Sequence, residues 1–222
     1  MVFLLDVDNT LLDNDAVAAD LREHLTKSFG EEGQERYWAF FEELRSELGY
    51  ADYLGALQRF RLAYPHETGL LQMSSWLIDY PFARRLYPRA LDVIAHLRDM
   101  GRPVILTDGD VVFQPRKVEQ SGIRDAVRGD VLLYVHKEEE LDEVERRYPA
   151  DHYVLVDDKL RILTAVKKAW GERVTTVFPR QGHYAFDPEV LAAYPPADVA
   201  VDAIGDLIEF RATDFAQTPS SG

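Results

Sequence analysis

The chain has 222 residues, 46% hydrophobic and 11% aromatic, enough to fill one large domain or a core domain with a smaller partner. It contains no cysteine, which excludes disulfides, thiolate metal sites and a cysteine nucleophile, and makes a reducing, cytoplasmic setting the expected localisation. The formal charge of −14 argues against nucleic acid or an anionic membrane as partner, and means that an anionic substrate must be met by local cations or a metal.

Residues 1–5 are an unbroken apolar run that meets Asp6-Val7-Asp8-Asn9-Thr10. The run predicts a strand buried on both faces, as in parallel sheets. It is too short for a membrane span, and the aspartates and the lack of a basic flank argue against a signal peptide. If the strand continues through residue 8, Asp6 and Asp8 project to one side at its carboxyl end, where open α/β folds place their sites. Two carboxylates ~4 Å apart repel by roughly 4 kcal/mol at an effective dielectric near 20. Protonating one of them relieves this, and so does a divalent cation, for which hard oxygen ligands favour Mg²⁺. The competing reading is a strand end that frays into a polar turn.

Residues 13–85 carry helical periodicity only. Asp15 is the expected cap of a helix with Val17, Leu21 and Leu25 on one face, ending near Gly30. Tyr37, Phe41, Leu44 and Leu48 predict a second helix stopping at Gly49. Tyr53, Leu57, Phe60 and Tyr64 predict a third before Pro65, and Leu70, Met73, Leu77 and Tyr80 a fourth before Pro81.

Helix and strand then alternate. A helix is expected over 89–100, a strand over 103–107 ending in Thr107-Asp108, and a short helix over 115–120. A strand over 131–135 leads to His136-Lys137 and a helix with Leu141, Val144 and Tyr148 on one face. A strand over 153–156 runs into Asp157-Asp158-Lys159, followed by a helix over 160–170 and a strand over 174–178. Residues 199–201 are a last weak strand before a helix near 206–210, and a frayed tail is expected past Thr213. This order predicts an α/β fold, a Rossmann-like parallel sheet with helices on both faces. The inserted all-helical block hangs over the carboxyl end of the first strand. The expected division is 1–12 with 86–222 as core domain and 13–85 as helical cap domain.

The strand ends carrying Asp6 and Asp8, Thr107 and Asp108, Lys137, and Asp157 and Asp158 all fall at the same edge of such a sheet. A hydroxyl with neighbouring backbone N–H groups holds phosphate oxygens, a lysine adds a point charge, and the second acidic pair completes an oxygen-rich Mg²⁺ site. Each piece has a bland alternative. Thr107 also serves as a strand terminator, Lys137 as a solvated residue heading Lys137-Glu138-Glu139-Glu140, and Asp157-Asp158 as a helix cap. Trp38 and Trp76 read as core of the helical block. His24, His96 and His152 show no ligand spacing; His136, beside Lys137, and Arg84 and Arg85, at the return from block to core, keep their bland readings, with contact to the site or a substrate anion as the lesser alternative.

Asp6-Val7-Asp8-Asn9-Thr10-Leu11 resembles the first motif of the haloacid dehalogenase-like hydrolase superfamily. Leu106-Thr107-Asp108 resembles its second motif, Lys137 its third, and Val156-Asp157-Asp158 its fourth, with Lys137 twenty residues before Asp157. Tyr87-Pro88 and the following helix and strand resemble members with a helical cap after the first motif. The resemblance implies an aspartyl-phosphate mechanism, with Asp6 as nucleophile and Asp8 as general acid/base. It also implies that Thr107, Asp108 and Lys137 surround the phosphoryl group. Mg²⁺ would be held by Asp6, the backbone carbonyl of Asp8 and one of Asp157 and Asp158, with Asp158 favoured as direct ligand and Asp157 as its neighbour. The implied substrate is a small phosphorylated metabolite. Departures are Glu138 after the lysine where many relatives have proline, Asp108 where asparagine is common, and Ile162 where some members place another aspartate. A 2-haloacid dehalogenase using the same nucleophile and a catalytically idle ligand-binding relative remain as alternatives. A receiver domain of the response-regulator type also clusters aspartates, threonine and lysine around Mg²⁺. It is about half this length and orders those residues differently.

Overall fold

Six strands, β1 (Val2–Leu5), β2 (Arg102–Asp108), β3 (Val131–Tyr134), β4 (Tyr153–Val156), β5 (Val174–Pro179) and β6 (Val199–Val201), form one fully parallel sheet in the order β3-β2-β1-β4-β5-β6. The structure is a computed structural model and describes residues 1–216. The strands alternate in the way a two-sided sheet requires. Phe3 and Leu5 face one apolar cluster, Val2 and Leu4 the other, and all four are buried. Strand order reverses direction between β1 and β4, so the crevice above their carboxyl ends is a topological switch point.

Between β1 and β2 the chain makes α1 (Asn14–Leu48), α2 (Tyr53–Ala63), α3 (Leu70–Ile78) and α4 (Ala90–Arg98). The two helices expected before Gly49 are both present within α1. Gly30 is non-helical (φ 73°, ψ 179°) and ends the first, and the second starts directly beyond this break. The cap of α1 is Asp13, whose side chain accepts from the Ala16 N–H at 2.8 Å. Asp15, expected in that role, lies two residues further in, within the first turn, and accepts from Asn9 and from His183. Gly49 closes α1 in the left-handed conformation (φ 80°), and a Cβ there would come within 2.6 Å of the His136 ring. Only glycine lets the helix end sit so close to the loop after β3.

The remaining helices are α5 (Phe113–Gln120), α6 (Ile123–Ala126), α7 (Leu141–Arg147), α8 (Leu160–Trp170), α9 (Pro188–Ala193) and α10 (Ala212–Phe215). α5 starts two residues before the predicted Pro115, because Asp110 accepts from the Val112 and Phe113 N–H groups at 2.8 and 2.6 Å and starts the turn early. Residues 204–209 are 3₁₀ rather than α-helical. The tail expected past Thr213 is docked as far as Phe215. That ring is fully buried against Phe3, and its carbonyl accepts from Thr175 at 2.5 Å. Residues 217–222 lie outside the described residues.

α7 and α8 cover one sheet face. α4, α5 and the C-terminal segment cover the other, and there the apolar cluster runs on without a break into the helical block. Tyr53 of α2 meets Phe113 of α5 at 4.7 Å between ring centroids, and Phe113 meets Phe82 at 5.4 Å. At the root of the block the Asp13 N–H donates to the Arg85 carbonyl (2.7 Å) and the Tyr87 N–H to that of Leu11 (3.0 Å). Among the described residues no helix is long and apolar enough to cross a membrane.

Candidate active site

β1 stops at Leu5, one residue before Asp6, and this short strand decides the site. The Asp6 N–H still donates to the Val156 carbonyl (3.0 Å), which fixes Asp6 beside Asp157 at the head of β4. The chain then leaves the strand, so Asp6 and Asp8 do not share a strand face as a longer strand would require. Val7 accepts from the N–H groups of Leu11 and Leu12 at 2.9 Å, closing a turn in which Asn9 is left-handed (φ 58°). Asn9 Oδ1 accepts from the N–H groups of Asn14 and Asp15 and ties this turn to the start of α1.

Lys137 lies at the centre of the buried charges and is itself wholly buried. Its ammonium donates to Asp6 Oδ1 at 2.5 Å and to the Leu106 carbonyl at 3.3 Å, and lies 2.6 Å from Asp157 Oδ2. Two hydrogen bonds and an ion pair thus compensate the ammonium. Burial alone would lower its pKa, but the carboxylates of Asp157, Asp6 and Asp108 outweigh burial and hold the ammonium well above its ordinary value. The reading of Lys137 as a solvated residue therefore fails.

Asp157 and Asp158 are fully buried. Burial drives the Asp157 carboxyl up to about 6, with Lys137 opposing and Asp6 reinforcing. Asp158 is raised too, first by burial, with Lys159 opposing and Asp157 and Asp6 adding to it. Asp158 is placed by its N–H, which donates to Thr10 Oγ1 at 3.1 Å, yet both its carboxylate oxygens are buried without a partner, as is Asp6 Oδ2. Unpartnered buried carboxylate oxygens are costly. Asp6, Asp157 and Asp158 each offer an oxygen within 4.8 Å of the others. That all-oxygen, anionic donor set fits a hard divalent cation such as Mg²⁺.

The other predicted residues fall around this centre. Thr107 is buried and its Oγ1 accepts from Gln114 Nε2 at 2.9 Å. Asp108 is half-buried and its Oδ1 accepts from the Lys137 N–H at 2.9 Å, so its carboxylate braces the lysine loop. Asp8 stands apart from the three-carboxylate group. Its Oδ1 accepts from Lys117 Nζ at 2.6 Å, and its side chain keeps 24% of its surface exposed on the cleft. Lys117 and Gln114 escaped the sequence reading. With the helix expected to begin at Pro115, Lys117 sat in a first turn, where a lysine reads as solvated. The signal that would have found it is its i+4 spacing from Phe113, which puts it on the inward face of α5.

Above this floor lies a cleft of about 470 Å³. Its roof comes from the helical block: Trp38, Phe41, Tyr50 and Tyr53, with Arg22 stacked 4.4 Å over the Trp38 ring. Trp38, expected in the block's core, is 8% exposed and lines the cleft. At the rim, Asp15 pairs with His183 (2.7 Å) and Arg45 donates to Tyr184 at 2.6 Å. Arg85 is turned away and held by Asp20 and Tyr80, and Trp76 stacks on His24. His136 packs against Gly49.

Comparison with known proteins agrees with this geometry. No curated protein matches the chain. A solved haloacid dehalogenase-like hydrolase of Burkholderia xenovorans LB400 is 65% identical, with 95% of this chain and 98% of that one covered and a TM-score of 0.90. The fold is shared by the L-2-haloacid dehalogenase of Xanthobacter autotrophicus (20% identity, 94% and 96% covered, TM-score 0.61). The magnesium-bound HAD hydrolase YfnB of Bacillus subtilis shares it as well (17%, 94% and 96% covered, TM-score 0.60). The family model for haloacid dehalogenase-like hydrolases matches residues 1–169, which include every strand end described above except those of β5 and β6, and the chain belongs to that hydrolase family.

Proposed function

We infer that this hydrolase is a Mg²⁺-dependent phosphatase cleaving a small phosphate monoester, with Asp6 as nucleophile and Asp8 as general acid/base. The observation that carries this reading is Asp8. It is a second carboxyl two residues beyond the nucleophile, outside the three-carboxylate cluster and open to the cleft. Displacing an alcohol from phosphorus needs a proton for the leaving oxygen, whereas a halide leaves carbon as a stable anion and needs none.

In the first half-reaction Asp6 forms a bond to phosphorus while Asp8 gives its proton to the departing ester oxygen. In the second half-reaction Asp8 takes a proton from water as the water oxygen bonds phosphorus and the Asp6–phosphorus bond breaks. Phosphate leaves and both aspartates return to their starting states. Thr107 holds a phosphoryl oxygen through its hydroxyl, with Gln114 fixing the side chain. Lys137 keeps Asp6 and Asp157 compensated and reaches a phosphoryl oxygen by giving up the Leu106 carbonyl, its longest contact. Asp6, Asp157, Asp158 and the backbone carbonyl of Asp8 would hold Mg²⁺. When bound, the ion supplies positive charge for the transferring phosphoryl oxygens. The cleft volume supports a small phosphorylated metabolite as substrate, and its aromatic roof excludes water over the reacting group.

The second reading, a 2-haloacid dehalogenase through Asp6, draws support from the names of several fold neighbours, at identities of 14–20%. A catalytically idle relative would bind without turnover. One assay separates all three: phosphate release from a panel of small phosphate monoesters and halide release from 2-haloacids, each with Mg²⁺ and with a chelator. Mg²⁺-dependent phosphate release without halide release is expected. Halide release that ignores the chelator would overturn the phosphatase reading.

A further inference from the structure

The reading above leaves Lys117 without a task, although its side chain is 0% exposed. Burying an ammonium costs several kcal/mol unless its partners compensate, and an apolar residue often serves stability as well or better. The partners of Lys117 are specific. Nζ donates to Asp8 Oδ1 at 2.6 Å and to Asn14 Oδ1 at 2.9 Å, and lies 5.3 Å over the Phe113 ring. Asn14 is itself fixed, since its N–H donates to Asn9 Oδ1 at 3.0 Å and its amide approaches Tyr53 Oη at 3.4 Å. The ammonium is therefore clamped between the turn after β1, the start of α1 and the inner face of α5. It grips one oxygen of Asp8, whose side chain keeps 24% of its surface exposed and lines the cleft.

We propose that Lys117 is the positioning residue for Asp8, gripping Oδ1 so that Oδ2 is the oxygen that exchanges the proton with the leaving group. The proposal rests on the phosphatase reading. In the step it serves, Oδ2–H passes its proton to the bridging ester oxygen while the bond from that oxygen to phosphorus breaks and the Asp6–phosphorus bond forms. The alcohol departs neutral, and the carboxylate left on Asp8 already has a cation at Oδ1. A freely rotating carboxyl would present either oxygen at variable distance, and small misplacements of a proton donor are expensive.

The test compares kcat/KM for two esters of similar shape, 4-nitrophenyl phosphate and benzyl phosphate, with Mg²⁺ present. This constant reports the half-reaction that expels the alcohol and is blind to the later attack of water. Nitrophenolate leaves without a proton and benzyl alkoxide does not. Lys117→Met should therefore lose about 100-fold or more on benzyl phosphate and less than about 5-fold on 4-nitrophenyl phosphate, with KM nearly constant. Lys117→Arg should restore part of the loss, and in an Asp8→Asn background Lys117→Met should cost little more. If Lys117→Met does not fold, Asn14→Ala, which removes the second anchor, should show the same preference for the poor leaving group at smaller size. Equal losses on both esters in the variant that folds would overturn the role of Lys117. A wild-type protein that releases phosphate from neither ester, nor from any other monoester, would instead defeat the phosphatase reading and the proposal with it.

Discussion

The floor and the roof of the cleft are built on opposite physical terms. The floor is buried charge: Asp6, Lys137, Asp157 and Asp158 sit in the sheet edge with almost no water, each placed by a strand end or a backbone hydrogen bond. The roof is buried ring: Trp38, Phe41 and Tyr53 pack edge to face or tilted, with centroids 4.7–6.5 Å apart, Arg22 stacks on Trp38, and the paired charged groups lie toward the rim. Charges buried without water tolerate no displacement, whereas rings exchange shape at modest cost. The chemistry is therefore fixed below, and the choice of substrate is free to vary above.

The comparison is broken most severely at Asp6, the proposed nucleophile. Asp6→Asn should lower phosphate release by about 10⁴-fold or more with an unchanged circular dichroism spectrum. Next comes Lys137→Met, which leaves Asp6 and Asp157 facing each other without a cation. Urea unfolding of the metal-free protein should show a loss of about 3–5 kcal/mol.

Acidity tests the same floor more gently. The Asp157 carboxyl is pushed up from the ordinary value near 4 to about 6 in the folded protein. Between those pH values the folded chain keeps a proton that the unfolded chain has released. Its contribution is complete below the unfolded pKa and is lost as pH rises through the folded one. The melting temperature of the metal-free protein should therefore fall between about pH 4 and pH 6, and Mg²⁺ should flatten that slope.

The roof should respond in binding. Trp38→Ala should raise KM about tenfold for the substrate the enzyme accepts best, with kcat within about threefold, in steady-state assays. The smallest effect belongs to the rim, where Arg45→Ala removes an exposed contact to Tyr184 and should change unfolding stability by less than about 0.5 kcal/mol.

The same contrast governs how much the sequence discloses. Parallel strands buried on both faces appear as apolar runs, and the acids at their ends stand out because nothing polar precedes them. Asp6, Thr107 and Asp157 are legible for that reason, and the strand arrangement follows from helix–strand alternation. Helical periodicity in the roof reports which residues are buried without telling core from cleft. Periodicity accordingly places Trp38 in the interior, although it also faces the site. Lys117 was missed because a lysine near a proline reads as surface, and only the burial of α5 shows otherwise. Phe215 was missed because one aromatic in a polar tail has no period, and its dock against Phe3 is set by tertiary contact alone.

The unbroken apolar cluster linking the helical block to one sheet face limits how this enzyme can be re-engineered. Phe113 belongs to the core by sequence, yet it faces Tyr53 and Phe82 of the block. A transplant of residues 13–85 onto another scaffold would set Tyr53 and Phe82 against foreign partners. A chimera aiming at a new substrate range should carry Phe113 along with the helices, as one packing unit whose seam lies inside the α/β core.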